Sequence, residues 1–211
     1  MGFSCRIPCV KPLLNNRQRQ KRLAWAKDKK DWTAAEWSKV MFIDESKFCI
    51  SFGNQGPRVW RKRGEAQNPR CLRSSVKFPQ SVMVWGAMSS AGVAPLCFLR
   101  SEVNAAVYQD VLEHHLAPAH SAKATSTWFK DHGIPVLNWP ANSPDLNPIE
   151  NLWGIVKRKM RYARPNNPEE LKATIRATWA LITPEQCHRL IDPMLRRIAT
   201  VIQAKGAPTK Y

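Results

Sequence analysis

The chain has 211 residues, enough for one substantial domain with its own hydrophobic core, and its 33 Lys and Arg against 16 Asp and Glu give a formal net charge of +17. A pI near 10.1 is hard to explain by solubility alone and points to a polyanionic partner, with a ribosomal-type or membrane-surface protein as the alternative on charge alone. No apolar run approaches the ~18 residues of a membrane span, and Met1 to Leu14 is broken by Arg6, Pro8, Lys11 and Pro12, which argues against a secretory signal. Gly2 fails as a myristoylation site because Arg6 stands where Ser or Thr is needed, and the six cysteines form no CxxC pair. Reduced thiols in an intracellular protein are the reading that fits.

In chain order, Asn15 to Lys30 is a basic, polar stretch with helical character. It suits DNA phosphates or a nuclear localisation signal, with a solvated linker helix as the plain alternative. Val40 to Ile43 is a short apolar run that predicts a buried strand delivering Asp44 and Glu45 at its carboxyl end. Phe48 to Phe52 predicts a second strand, Gly53 to Pro57 a turn, and Ser81 to Met88 a third strand. Arg58, Arg61, Lys62 and Arg63 flank Trp60, an arrangement suited to a nucleic-acid backbone with an aromatic beside it, although Trp60 taken alone reads more readily as a core residue.

Val103 to His115 and Ala119 to His132 have helical spacing, and Ile134 to Leu137 predicts a short strand. Asn147 and Pro148 are helix-start signals, and the basic run Lys157, Arg158, Lys159, Arg161 and Arg164 lies at the far end of that helix. Two amphipathic helices close the chain. Leu171, Ile175, Trp179 and Ile182 share one face, and Leu190, Met194, Ile198, Val201 and Ile202 another, with Pro193 expected to kink the last helix.

The run Ser143-Pro144-Asp145-Leu146-Asn147-Pro148-Ile149-Glu150-Asn151-Leu152-Trp153 closely resembles the mariner superfamily of DNA transposases, in its Tc branch. Asp44-Glu45, Val59-Trp60-Arg61, Val84-Trp85-Gly86 and the closing Lys205 to Tyr211 add to the resemblance, which extends from about Arg17 to the end. It implies an α/β, ribonuclease-H-like (retroviral-integrase-like) mixed sheet with flanking helices, plus C-terminal helices. Residues 1–36 would be a basic linker, 37–164 the catalytic domain and 165–211 a helical extension.

The implied chemistry is that of a DDE enzyme, in which two Asp and one Glu hold two Mg2+ (or Mn2+) ions for attack on a DNA phosphodiester. Hard divalent cations prefer carboxylate oxygens, and two metals stabilise the attacking and leaving oxygens together. Asp44 matches the first Asp and Glu150 the final Glu. On local grounds Asp44 is equally a turn residue, and Glu150, three residues after Asn147, equally a capping-box partner. Glu45 should face the other side of its strand.

DNA is the implied partner, contacted through Arg17, Arg19, Lys21, Arg22, Arg58, Arg61, Lys62, Arg63, His120, Lys157, Arg158, Lys159 and Arg161. A nuclear location and room for a homodimer accompany that reading, and no membrane does.

The departure lies in the middle Asp. The family's spacing puts it at position 115, which is His115, while the Pro-x-His element that follows it survives as Pro118-Ala119-His120. An internal deletion, or skipped coding sequence, joining Glu113-His114-His115 to Leu116-Ala117-Pro118 accounts for both. It would remove one central strand, leave the strand of Asp44 with an unpaired edge, and make the enzyme defective. Imidazole is a poor magnesium ligand, so His115 is no substitute. A non-catalytic, non-specific nucleic-acid-binding protein is the alternative. The helix-turn-helix modules that read terminal repeats in such transposases have no counterpart in these residues.

Overall fold

The computed structural model of the protein describes residues 11–50, 62–65, 68, 71, 80–99, 133, 135–163 and 165–211. The helices begin where short polar side chains meet a helical run. Asn15 caps α1 (Asn16–Asp28) through a reciprocal pair of bonds with Gln18, and Thr33 caps α2 (Ala34–Ser38) in the same way with Glu36. Pro148 opens α3 (Pro148–Ala163), and Asn167-Pro168 and Thr183-Pro184 open α4 (Pro168–Ala180) and α5 (Pro184–Ile191). Proline suits the first helical position because its missing N–H would be unsatisfied there in any case.

At Pro193 the chain does more than kink. Helix α5 stops at Ile191 and α6 (Met194–Gln203) restarts after the proline, so the single bent helix expected there is two helices. Proline has no N–H to donate, and its ring blocks the carbonyl of the preceding turn.

Strand β1 (Phe42–Cys49) pairs antiparallel with β2 (Ser81–Ser89), which also carries β3 (Gly92–Val93) and β4 (Cys97–Leu99). Central β2 is buried from Val84 through Met88, as its near-continuous apolar run requires. The strand of Asp44 continues to Cys49 and does not end at the acids, because Asp44 to Lys47 pair with Gly86 to Met83 of β2. The second strand expected from Phe48 is the end of β1 itself, and Ser51 and Phe52 lie outside the described residues.

Residues 135–137 take no strand pairing. Pro135 has no N–H for a ladder, Val136 is exposed, and Leu137 and Trp139 instead pack onto the core, with the Trp139 ring against Trp25 and Phe42. The described strands are all antiparallel. The helical spans expected at 103–115 and 119–132, the turn at 53–57 and Trp60 lie outside the described residues.

A continuous core joins the sheet to helices from both ends of the chain. Trp25 and Ala26 of α1, Phe42 and Phe48 of β1, Ile149, Leu152, Trp153 and Val156 of α3, and Ile198 and Val201 of α6 all belong to it. Trp153 stacks on Trp179 with ring centres 5.0 Å apart. The two indoles fit because Gly86 lies beneath them: a Cβ there would come within 2.8 Å of Trp153 and 2.9 Å of Trp179. This packing fixes α3 across the sheet.

Candidate carboxylate site

Strand alternation determines which acid meets α3. Phe42, Ser46 and Phe48 are buried on one face of β1, and Asp44 shares their parity, whereas Glu45 falls with Ile43 and Lys47 on the other. Phe48 meets Trp153 edge-on at 5.9 Å, which identifies the even-numbered face as the one turned to α3. Glu150, in the first turn of α3, lies near enough to Asp44 for its charge to act on that carboxyl, and for a side-chain hydrogen bond between them when one of the two is protonated. Glu150 is thus directed at a second carboxylate.

Burial is the largest influence on Asp44, followed by the negative charges of Glu150 and Glu45. Together with the bond to Glu150 they outweigh the backbone N–H of Glu45, and the Asp44 carboxyl is pushed up to about 7. Near neutrality Asp44 therefore holds a proton for much of the time, beside a second carboxyl group at a helix N-terminus. A hard cation would occupy that place better, since the donors are carboxylate oxygens and its charge relieves their repulsion. The residues fit such an ion. Among the described residues no group of three His, Cys, Asp or Glu side chains is gathered in a metal-binding arrangement.

Behind the pair lies a buried polar hub that the sequence did not disclose. Asp145 accepts from both terminal nitrogens of Arg22 at 2.9 and 2.7 Å, and from the backbone N and Oγ1 of Thr209 at 2.9 Å each. Burial alone would push Asp145 up, but the Arg22 and Thr209 donors outweigh it and hold the carboxyl below its ordinary range. Arg22 also donates from Nε to the Gly206 carbonyl, and Arg197 donates to the Asp145 carbonyl and to Asn151. The hub joins α1, the turn before α3, α6 and the chain's last residues.

This corrects the assignment of Arg22 to DNA binding. Its side chain is fully buried and already neutralised, so it has no free face for a phosphate. Arg17, Arg19 and Lys21 of α1 are exposed, as are Lys62, Arg63, Lys157, Arg158 and Lys159. Lys157 extends over the Phe48 ring at 5.5 Å, on the same side of the sheet as Asp44. Arg58, Arg61 and His120, and the side chain of Arg161, lie outside the described residues. Nothing in composition or periodicity marked Asp145 as buried; the arginine four residues into α6 was the nearest signal, a charge on an otherwise apolar face.

A family profile described as DDE superfamily endonuclease matches residues 115–172. The Tcb2 transposable-element transposase of Caenorhabditis briggsae is 35% identical over 231 residues, covering 100% of this chain and 84% of that protein. The Tc1 transposase of Caenorhabditis elegans is 33% identical over the same span and coverage. Among solved structures, the Mos1 strand transfer complex superposes with a TM-score of 0.84 at 21% identity, covering 100% of this chain and 68% of that one. The Mos1 catalytic domain gives 0.74 at 19%, covering 96% and 100%.

The fold is therefore the ribonuclease-H-like α/β fold of a DDE transposase catalytic domain. The chain belongs to the mariner superfamily of transposases, in the Tc1 branch.

Proposed function

We propose that this chain is a DNA-transposition domain that still holds DNA but has lost the metal arrangement needed to cut and join it. The observation that carries the reading lies in the sequence: counted back from Glu150, the family's spacing puts the middle Asp at position 115, where this chain has His115. Two further observations support it. The match to Tcb2 spans 231 positions against 211 residues here, a difference of 20, so that relative has positions without counterpart in this chain. The family profile begins at residue 115, where the expected junction lies.

A bound Mg2+ or Mn2+ would supply Lewis-acid stabilisation of the phosphoryl oxygens, and Asp44 and Glu150 are the residues that would hold it. Mos1 complexes are known with each of these metals. Two carboxylates hold one ion more readily than two, and a displacement that needs both metals loses several kcal/mol of charge stabilisation, at ~1.4 kcal/mol per tenfold of rate. DNA is the partner, as in the Mos1 paired-end complex with its left transposon end. Here the exposed cations of α1 and α3 would contact phosphates and discriminate little between sequences. The nucleus is the place of action that such a partner implies.

The test fuses the chain to a repeat-binding module and incubates it with Mg2+ or Mn2+ and DNA carrying the matching terminal repeats. Binding without strand cleavage is expected. Cleavage that disappears on Asp44→Ala or Glu150→Ala would show that a complete site has been rebuilt from other residues.

A further inference from the structure

The two carboxylates belong to separate pieces of chain, and the side chain of Asn147 bonds to both. Its Nδ2 donates to the carbonyl of Ile43 at 3.2 Å, one residue before Asp44. Its Oδ1 accepts from the backbone N–H of Ile149 at 3.4 Å, one residue before Glu150. We propose that Asn147 is a positioning residue whose amide ties β1 to the first turn of α3 and thereby sets the separation of Asp44 and Glu150. The inference rests on the reading of that pair as the metal-facing site, and deepens it.

The surroundings explain why one amide can have this effect. On the α3 side the turn is fixed by Asp145, which Arg22 and Thr209 hold through its side chain and Arg197 through its carbonyl. Leu146 and Ile149, on either side of the amide, are fully buried in the core. The turn therefore presents Asn147 from a rigid base. On the strand side, Ile43 pairs with Ala87 of β2 and moves only with the sheet. Two rigid bodies facing each other leave a few tenths of an ångström to be decided locally, and a hydrogen bond beside each carboxylate decides it.

Capping alone is the competing explanation, since Asn147 precedes Pro148 and accepts from the first turn. Serine separates the two roles. It caps a helix about as well as asparagine, but it is shorter and has no NH2 to reach Ile43. Asn147→Ser should thus retain the cap and lose the tie.

The experiment uses the full chain labelled with carbon-13 at Asp and Glu carboxyls, with Mn2+ alone as the probe. Asn147→Ser should unfold close to the wild-type urea concentration, yet its Mn2+ affinity, read from water-proton relaxation, should fall at least tenfold. Its Asp44 and Glu150 carboxyl resonances, compared with wild type at one fixed pH without metal, should be displaced. Unmoved resonances in Asn147→Ser would overturn the proposal. So would displaced resonances accompanied by the same loss of urea resistance as Asn147→Ala, since the amide would then act through helix stability alone. If the resonances move as expected while wild type takes up no Mn2+, the positioning role stands and the metal-facing reading of the pair fails.

Discussion

Asp145→Ala should be among the most damaging single changes in this chain, although Asp145 is no candidate ligand. The substitution leaves the guanidinium of Arg22, fully buried, without its counter-charge, and deprives the backbone N–H of Thr209 of its acceptor. Four hydrogen bonds to a charged acceptor are lost together. Summing ~1.5–3 kcal/mol for each would overcount, because they share one carboxylate and fail as a unit. The measured range for breaking a buried ion pair, ~3–5 kcal/mol, is the better expectation and is a large part of ordinary domain stability. Urea unfolding at neutral pH should show that loss for Asp145→Ala and a similar one for Arg22→Met. The double variant should cost less than the sum by ~2 kcal/mol or more, and salt should change little because the pair is shielded from solvent. Since Asp145 titrates below its unfolded value, its contribution is present above that value and is lost only as pH falls through the folded one. A cost below ~1 kcal/mol, or strict additivity of the two variants, would refute the idea that the hub is held by this ion pair.

The opposite shift at Asp44 has the opposite sign. Its folded value of about 7 lies above the ordinary 3.8, so its contribution in the metal-free protein is complete below 3.8 and fades as pH rises through about 7. Asp44→Asn should flatten that part of the stability profile, and an unchanged profile would separate Asp44 from Glu150. Gly86→Ala should destabilise by ~1–3 kcal/mol in urea unfolding, because its methyl group collides with two stacked indoles rather than with a flexible side-chain tip. DNA binding, measured by fluorescence anisotropy, should weaken by orders of magnitude between ~50 and ~200 mM salt if roughly six phosphates are contacted. Replacing Lys157, Arg158 and Lys159 by Ala should lower the salt slope by about 1 per lost contact, while Arg22→Met should leave it unchanged.

The helix after Asn147 and the apolar faces of the closing helices were legible in the sequence and strand limits were not, for a common reason. A helix start is written in one or two residues because the cap acts on backbone groups in its own turn; Asn147-Pro148 was read so, and Asn167-Pro168 and Thr183-Pro184 carry the same signal without having been read. A strand limit depends on a partner distant in sequence. Asp44-Glu45-Ser46-Lys47 has turn composition, yet it pairs with Val84, Trp85 and their neighbours, and only the alternation of Phe42, Ser46 and Phe48 hinted at the continuation. Arg22 misled in the same way. It lies among exposed cations in sequence, and the acid that buries it is 123 residues away.

The long motif at 143–153 was the clearest feature of the sequence, and the structure shows why its survival says little about catalysis. Asp145 anchors the turn, Asn147 reaches β1, Pro148 starts the helix, and Leu146, Ile149, Leu152 and Trp153 fill the core. Glu150 alone is directed at a second acid. Most of the motif therefore serves to hold α3 against the sheet, a demand that any folded form of the chain must meet whether or not DNA is cut. Stability can preserve such a motif whether or not the chemistry is kept. The same reasoning separates the two acids experimentally: Glu150→Gln should leave the urea midpoint nearly unchanged, since the amide still fills its place in the first turn. Asp145→Asn, which removes the charge opposite Arg22, should unfold the chain at clearly lower urea. Equal effects of the two substitutions would mean that the motif is not divided between scaffold and site in this way.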